Sequence, residues 1–563
     1  MRVDRARLQV RWLGVVPYRD AEALQRGVHE HTDEQYLLLQ EHPHVYTLGS
    51  RAKREHILRE PGSVGADLVI ADRGGDVTYH GPGQLVGYPV VSLAEWRAGQ
   101  RDVVAYVRRL EDVLLAVLAD FGIAAGRSDG YTGVWVGDAK IAAIGVRVAR
   151  GRTRHGFALN VDPDLEMFEH IVPCGIRDRG VTSMARVLGA APSMRDVTSK
   201  VVERFVDAFG FAAMHREDVA WKEREWLERP ERSGSPERPV DKATVRGAPA
   251  SGGGAVVSAV RLLGRLAAAG VEADPEVGAH RPEWMRVRAR FDDGYLDLKK
   301  TMRGLDLHTV CEEAGCPNIY ECWSDRTATF MILGDRCTRA CGFCQVDTRK
   351  PLAVDIDEPR RVAEAVLAMD LAHAVVTCVA RDDLDDGGAS VFARTVHAIR
   401  ATSPGTNVEL LISDCKGDVA ALDTIFASRP DVLNHNLETV ARLQRAARPS
   451  AGYARSLSVL ARAKAAGLAT KSGLILGMGE TVDEVHAALR DLRAVGVDIV
   501  TVGQYLRPSK HHLPVVKWWS PDEFEAVRDY GTTLGFRHVE SGPLVRSSYH
   551  ARAAVDSQTV AAS

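Results

Sequence analysis

The sequence predicts two domains of different construction: an α+β half followed by an α/β half of parallel β/α units. Three observations predict this. The composition breaks at Glu228-Arg-Pro-Glu-Arg-Ser-Gly-Ser-Pro-Glu-Arg-Pro239 and Gly247-Ala-Pro-Ala-Ser-Gly-Gly-Gly254, where Pro, Gly, Ser and alternating charge bury no core. Beyond the break, apolar β-rich runs alternate with amphipathic segments, the pattern of a parallel sheet. Before it, strands and helices interleave less regularly. The expected division is residues 1–227, a linker at 228–281 and residues 282–563, and a chain of 563 residues accommodates it.

In the first half, Leu68–Ala71 reads as a strand leading into a glycine-rich loop. Residues 103–122 form a helix striped by Val107, Leu110, Leu114, Val117 and Leu118. Val134–Ala142 reads as two strands about a Gly137-Asp138 turn. Val257, Val260, Leu263 and Leu266 share a helical face inside the linker. In the second half the strand runs are 372–379, 408–412, 432–436, 471–476 and 499–505. Thr481-Val-Asp-Glu484 and Ser520-Pro-Asp-Glu523 read as capping boxes, the latter with Pro at the first helical position. The helix after Thr481 carries Val485, Leu489 and Leu492 on one face and stops at Gly496.

A formal net charge of −3 gives no electrostatic case for nucleic acid. No run of 18 apolar residues and no apolar signal region is present, so neither a membrane span nor export is expected. With thiolate clusters to protect, the expected location is a reducing cytoplasm.

Cys337-Thr-Arg-Ala-Cys341-Gly-Phe-Cys344 has CxxxCxxC spacing. Three thiolates on one loop can bind three irons of a [4Fe–4S] cube and leave the fourth open. A zinc site would more often show two CxxC or CxxH pairs across a longer loop. Upstream, Cys311, Cys316 and Cys322 stand at CxxxxCxxxxxC, 14 residues before the first set, and the two sets take six of the nine cysteines.

This pair of spacings resembles lipoyl synthase, a radical S-adenosylmethionine (SAM) family, over about residues 282–551. Further matching stretches are 377–389, Asn434-His-Asn-Leu-Glu-Thr439, Lys471–Glu480, Gly503–Pro508 and Arg546-Ser-Ser-Tyr549. The resemblance implies an incomplete TIM-type radical SAM barrel with two [4Fe–4S] clusters and SAM. Cys337, Cys341 and Cys344 would hold the SAM-binding cluster. Cys311, Cys316 and Cys322 would hold an auxiliary one, completed by a serine of the tail, Ser548 rather than Ser547. A hard oxygen on a soft cluster binds weakly, which suits a cluster consumed as the sulfur source. The resemblance further implies that Asp385, Asp386, Gly387, Gly388 and Gly477 line the SAM site, with Asn434 and Arg507 contacting substrate or SAM. An electron donor is implied, and sulfur is inserted at C6 and C8 of an octanoyl chain. A different radical SAM enzyme would lack the Cys311 set and the Arg546–Tyr549 tail.

In the first half, Arg73-Gly-Gly-Asp-Val-Thr-Tyr-His-Gly-Pro-Gly-Gln84, Gly137–Gly145, His155–Asn160 and Ile171-Val-Pro-Cys174-Gly-Ile176 resemble octanoyltransferase, over about residues 8–212. The implied fold is biotin/lipoate ligase-like. Cys174 would be the acyl-accepting nucleophile and Lys140 the ammonium that favours its thiolate. Arg73, Gly74, Gly75, Asp76, Val77, Thr78, Tyr79 and His80 would line the substrate site, with Ala143, Ile144, Gly145, Gly156, Phe157 and Ala158. ATP-dependent ligases of the same fold class need no cysteine, so Cys174 argues against them. The implied partners are octanoyl-acyl carrier protein and the lipoyl domains of 2-oxoacid dehydrogenase and glycine cleavage proteins. A non-catalytic iron sensor would need the clusters but not Cys174 and Lys140. A flexible linker of about 53 residues would span roughly 40 Å, keeping both active sites near one tethered lipoyl domain.

Cys378 and Cys415 have no ligand spacing and are expected to be small buried residues on strands. Cys378→Ala and Cys415→Ala should leave the iron content of anaerobically purified protein unchanged. Loss of iron in either would give that cysteine a ligand role.

Overall fold

In the computed structural model, the described residues are 7–93, 102–176, 179–221, 262–274, 276–278, 280–285, 304, 307–309, 318–319, 322, 327–549 and 551. The strands of the first half are β1 (Arg7–Val15), β2 (Gln35–Glu41), β3 (Val45–Leu48), β4 (Asp67–Ile70), β5 (Val77–His80), β6 (Gln84–Val90), β7 (Gly126–Ser128), β8 (Tyr131–Val136), β9 (Ala139–Ala149), β10 (Arg152–Asn160), β11 (Gly180–Val181) and β12 (Ala213–Asp218). They form a large mixed sheet, β12-β1-β2-β6-β10-β9-β8-β7 with β11 on β9, and a small sheet β4-β3-β5. The longer helices are α1 (Tyr18–His31), α2 (Val103–Asp120) and α3 (Met194–Phe209). Asp102 caps α2 by accepting from Ala105 N. The stripe of Leu110, Leu114, Val117 and Leu118 then packs on Val197, Val201 and Phe205 of α3. This is the expected α+β half, with the Gly137-Asp138 turn between β8 and β9.

The second half runs β13 (His308–Thr309), β14 (Thr327–Ile332), β15 (His373–Cys378), β16 (Asn407–Leu411), β17 (Val432–Asn434), β18 (Thr470–Leu476), β19 (Ile499–Gln504) and β20 (His538–Ser541). Strands β14 to β20, seven in all, pair in parallel in chain order, and β13 adds antiparallel at the edge. Among the described residues the sheet does not close, so it is an incomplete β/α barrel. Outside it lie α4 (Glu358–Ala368), α5 (Ala389–Thr402), α6 (Val419–Ala427), α7 (Tyr453–Ala465), α8 (Val482–Ala494) and α9 (Pro521–Thr533). Both capping boxes form, at Thr481/Glu484 and Ser520/Glu523. Cys378 ends β15 as expected, but Cys415 opens a short 3-10 turn after β16 with φ near +44 rather than lying on a strand.

Val376, Leu410 and Leu433 pack outward on the helices. By alternation Glu409, Asn434 and Lys471 face inward, and all three are at most 1% exposed. Glu409 accepts from Lys471 Nζ at 3.0 Å and from Asn434 Nδ2 at 2.9 Å.

The halves are not separate bodies. One continuous core joins Ala21, Leu24 and Val28 of α1 to Leu457 and Leu460 of α7 and Leu489 and Leu492 of α8. The segment expected as linker enters this core at its far end: residues 262–268 are helical, with Leu266 buried and Leu263 half exposed, and Ala269 and Val271 are buried. Val257 and Val260 lie outside the described residues. Trp221 stacks on Trp12 at 4.2 Å between ring centroids. Trp221 and Gly264 line the same cavity of about 720 Å³. The described residues on either side of 222–261 therefore meet at one place.

Burial pushes the Glu409 carboxyl up, but Lys471 and His373 outweigh it and hold it down to about 2. Its folded value is thus below its unfolded one. The pair's contribution to stability is complete above about pH 4.3 and is lost as pH falls toward 2. Lys471→Met leaves the carboxylate buried and unpaired and should cost about 3–5 kcal/mol in urea unfolding at pH 7. The loss should shrink below pH 4, where the lone carboxyl is protonated in both states.

Candidate active sites

The first candidate site is a cavity of about 510 Å³ between the two sheets of the first half. The glycine-rich loop contributes Arg73, Gly74, Gly75 and Asp76, and β5 contributes Thr78 and His80. Strand β9 supplies Lys140, Ala143, Ile144 and Gly145, β10 supplies Gly156, Phe157 and Ala158, and the turn Pro173–Gly175 supplies Cys174. Val77 and Tyr79 do not line it. Period-two alternation along β5 turns them into the small core around Tyr46 and Phe168, so these two are packing residues. Gly156 meets a close crossing: a Cβ there would lie 2.2 Å from Gly87 O on β6.

Cys174 sits at φ +55, a left-handed conformation unusual for a non-glycine residue. The turn is tied by Gly175 N to Val172 O at 3.0 Å and Val172 N to His56 O at 2.7 Å. His56 in turn pairs with Asp76 at 2.8 Å. Lys140 is buried with Nζ 4.8 Å from the Trp135 ring centroid, and among the described residues no carboxylate pairs with it. That leaves its charge available to a thiolate. Arg73 is a clamp, donating to Thr47 O at 2.7 Å and to Gly74 O at 3.1 Å. Burial and the neighbouring His42 keep His80 far below the usual histidine range, hence neutral. Gln84 Nε2 donates to Asn160 Oδ1 and Tyr79 O, so its Oε1 accepts from His80 Nδ1 at 2.7 Å. The proton is thereby assigned to Nδ1, and Nε2 is an acceptor.

Sequence reasoning missed Tyr18, Tyr88 and the role of His155, which also line the cavity. His155 has φ +55, donates from Nε2 to Asp72 at 2.7 Å and lies against Gln25 of α1. Its hydrogen bond holds Asp72 well below the usual carboxylate range. The quoted His155–Asn160 stretch carried a signal for it. Tyr18 and Gln25 stand on a helix with no local motif.

The second candidate site follows β14 at the carboxyl end of the parallel strands, where β/α barrels place their chemistry. The loop bearing Cys337, Cys341 and Cys344 is closed at its neck by Cys337 N to Asp347 O at 2.7 Å. Cys337 Sγ accepts from Ala380 N at 3.3 Å and Arg339 N at 3.4 Å, the hydrogen bonding that cluster thiolates use. Among the described residues the three sulfurs are not gathered within 4.8 Å, as ligands of a single ion would be. Three soft donors on one loop, with Cys337 Sγ accepting from backbone N–H groups, fit a cluster. Arg339 forks onto Asp382 at 2.7 and 2.8 Å and reaches Asp414 at 2.6 Å, tying the cluster loop to the loops after β15 and β16.

The remaining expected residues divide. Asp385 and Gly387 line a cavity of about 480 Å³ at the seam of the two halves. Asp386 instead caps α5, accepting from Gly388 N and Ser390 N at 2.8 Å. Gly388, at φ +93, abuts Leu333 so closely that a Cβ would lie at 2.2 Å. Asn434 keeps a buried Oδ1 with no partner. Gly477 donates to Glu480 at 2.8 Å and packs against Gln504. Arg507 is taken up by His512 O at 3.1 Å and Lys510 O at 2.7 Å, which makes it a loop anchor. Cys311 and Cys316 lie outside the described residues. Asn318 Nδ2 donates to Leu544 O at 2.6 Å, tying that segment to the C-terminal tail, and Cys322 N bonds Asn318 O at 3.0 Å. Ser547 Oγ accepts from Asn436 Nδ2 at 2.7 Å, whereas the Ser548 hydroxyl has no partner among the described residues.

Residues 17–206 match the family model "Lipoyl protein ligase A/B catalytic domain". Residues 331–492 match "Radical SAM superfamily", and residues 272–316 match "N-terminal domain of lipoyl synthase of Radical_SAM family". The chain is 57% identical to the lipoyl synthase of Rubrobacter xylanophilus over 279 residues, 49% of this chain and 87% of that one. It is 59% identical to the lipoyl synthase of Mycobacterium leprae over 271 residues, 48% of this chain and 86% of that one. Among solved structures, the bipartite lipoate protein ligase of Thermoplasma acidophilum aligns with TM-score 0.31 at 17% identity, covering 38% of this chain and 87% of that one. Among the described residues no helix is long and apolar enough to cross a membrane.

Arg339→Lys keeps the charge but cannot reproduce the fork onto Asp382 together with the bond to Asp414. The substitution should lower iron retained at the Cys337 loop, read as iron per chain after anaerobic desalting. Full retention would mean the fork does not hold the loop.

Proposed function

Because the chain belongs to the lipoyl synthase family and carries a lipoyl protein ligase A/B catalytic domain ahead of it, we propose that this bifunctional enzyme of lipoate biosynthesis builds the lipoyl group in two successive steps. The first half moves an octanoyl group from octanoyl-acyl carrier protein to a lysine of a lipoyl domain. The second half inserts sulfur at C6 and C8 of that chain. The observation that carries the first step is Cys174 and Lys140 lining one cavity.

In the transfer, the Cys174 thiolate attacks the carbonyl carbon of the octanoyl thioester and the carrier's thiolate leaves, taking a proton from the Lys140 ammonium. The lysine amine of the lipoyl domain then attacks the Cys174 thioester, an amide forms, and the Cys174 thiolate is released. Lys140 stabilises that thiolate as an ammonium; deprotonated, it accepts the proton the amine loses. His80 Nε2, an acceptor on a neutral ring, positions the amine. Ile144, Phe157 and Ala158 give the octanoyl chain an apolar wall.

For the second step, Cys337, Cys341 and Cys344 would hold one [4Fe–4S] cluster with SAM. Cys311, Cys316, Cys322 and Ser548 would hold the auxiliary one. When bound, these groups supply the reductive cleavage of SAM and the sulfur. Ser547 is engaged by Asn436 and Ser548 is not, which supports Ser548 as the labile oxygen ligand. The unpartnered Oδ1 of Asn434 supports a ligand contact inside the barrel. Gly387, Gly388 and Gly477 shape the SAM site, Asp385 lies at its rim, and Asp386 and Arg507 hold its loops. The partners are lipoyl domains, those of 2-oxoacid dehydrogenase and glycine cleavage proteins, and an electron donor, in the cytoplasm.

Anaerobic protein given octanoyl-acyl carrier protein, apo lipoyl domain, SAM and reductant should convert the lipoyl domain first to an octanoyl and then to a lipoyl mass. Cys174→Ala should give no adduct. Ser548→Ala should stall at the octanoyl mass, whereas Ser547→Ala should proceed. A lipoyl product from Ser548→Ala would remove that serine from the ligand set.

A further inference from the structure

Helix α1 is buried on two sides. Toward the first half it lies on β6 and β10, whose Val86, Tyr88 and Ala158 line the transfer cavity and belong to the core that joins the halves. Its first residue, Tyr18, lines that cavity, and its Gln25 accepts His155 N at 2.7 Å and bonds His155 Nδ1 at 3.2 Å. Toward the second half it meets α7 and α8, and the approach is close. A Cβ on Gly27 would lie 2.9 Å from Ala461 Cβ, and a Cβ on Gly496 would lie 2.7 Å from His31.

The two faces exchange carboxylates. Asp20 of α1 is 2% exposed and accepts from Arg455 Nε at 3.0 Å, Arg462 Nη2 at 3.1 Å and Ser458 Oγ at 3.2 Å. Asp491 of α8 is 4% exposed and accepts from Arg11 Nε at 2.8 Å, Tyr36 Oη at 3.2 Å and Tyr453 Oη at 3.0 Å. Each half buries an acid that only the other half, or the pair together, can satisfy. The described residues that flank 222–261, Trp221 and Gly264, line one cavity.

We propose that the α7–α8 face of the synthase half is a docking surface for α1 of the transferase half, and that through α1 it positions Tyr18 and His155 in the transfer cavity. Asp20 and Asp491 are the positioning residues. The synthase half thereby completes the transferase site, beyond its own chemistry. The functional part of this inference rests on the transfer reading above.

The test uses the full chain, in which the halves stay covalently joined. Arg455→Ala/Arg462→Ala removes the two arginines that Asp20 pairs with on the synthase side and replaces no residue of the transfer cavity. Asp20→Asn removes the acid itself. Each should lower kcat for octanoyl transfer roughly tenfold, as a misplaced catalytic cavity does, with little change in KM for octanoyl-acyl carrier protein and unchanged iron content. Arg455→Lys/Arg462→Lys should recover most of the rate. By calorimetry the wild-type chain should unfold in one transition and Arg455→Ala/Arg462→Ala in two. Two independent transitions in the wild type would overturn the docking, and wild-type transfer kinetics in Arg455→Ala/Arg462→Ala would overturn the positioning. A wild-type chain that forms no octanoyl adduct would refute the transfer reading instead, and the calorimetry would still decide the docking.

Discussion

A buried carboxylate must find donors wherever the fold can bring them, and Asp491 finds two of its three, Arg11 and Tyr36, on the other half of the chain. Arg11 and Asp491 are separated by 480 residues and meet with almost no solvent access. Breaking such a pair from one side strands a charge, a cost of about 3–5 kcal/mol. The pair therefore fixes where α8 sits on β1 and β2. Asp20 does the same for α7 on α1, with apolar contacts between the two anchors. Much else follows from that placement, including the wall of the transfer cavity.

The second constraint is the strand end. Parallel β/α units deliver the loops after β14, β15 and β16 to one end of the barrel. Without a link these loops would each sample their own conformations. Arg339 supplies the link, because a planar guanidinium can satisfy Asp382 through a fork and Asp414 through a further donor. Burial opposes the ionised Asp414, and the Arg339 hydrogen bond and charge hold it below the usual carboxylate range. The two non-ligand residues next to Cys337 thus have a structural purpose: Thr338 bonds Ala380 O, and Arg339 bonds the acids.

Local chemistry was legible in the sequence, and long-range chemistry was not. The capping boxes at Thr481 and Ser520, the turn at Gly137-Asp138 and the order of parallel strands all depend on residues within a few positions of one another. The grouping of Arg73 to Ala158 around Cys174 is long-range and was legible only because its separate motifs resemble one family. Parity was readable in principle: strict alternation along β5 turns Val77 and Tyr79 away from Thr78 and His80. The capping role of Asp386 depends on where α5 begins, which the DDGG run leaves open. The interface could not be read, since Arg11, Asp20 and Asp491 look like solvated charges on amphipathic elements. Only folding shows that their surroundings are apolar and their partners distant. The same holds for Leu266, whose neighbours in sequence are those of a linker and whose neighbours in space are those of a core.

A tether and a docked interface solve different problems. A flexible tether raises the effective concentration of one site near another, and its benefit falls as length exceeds the span. Docking fixes geometry and leaves concentration to the substrate. Here Trp12, Trp221 and Gly264 line one cavity between the halves, and packing sets the geometry of the described residues. Under the proposed function the lipoyl domain is then the moving part, carrying the octanoyl-lysine from the cavity of Cys174 toward the barrel end marked by Cys337. Fusion then does for the enzyme what Asp20 and Asp491 do for the fold: it makes each half's surface a permanent environment for the other.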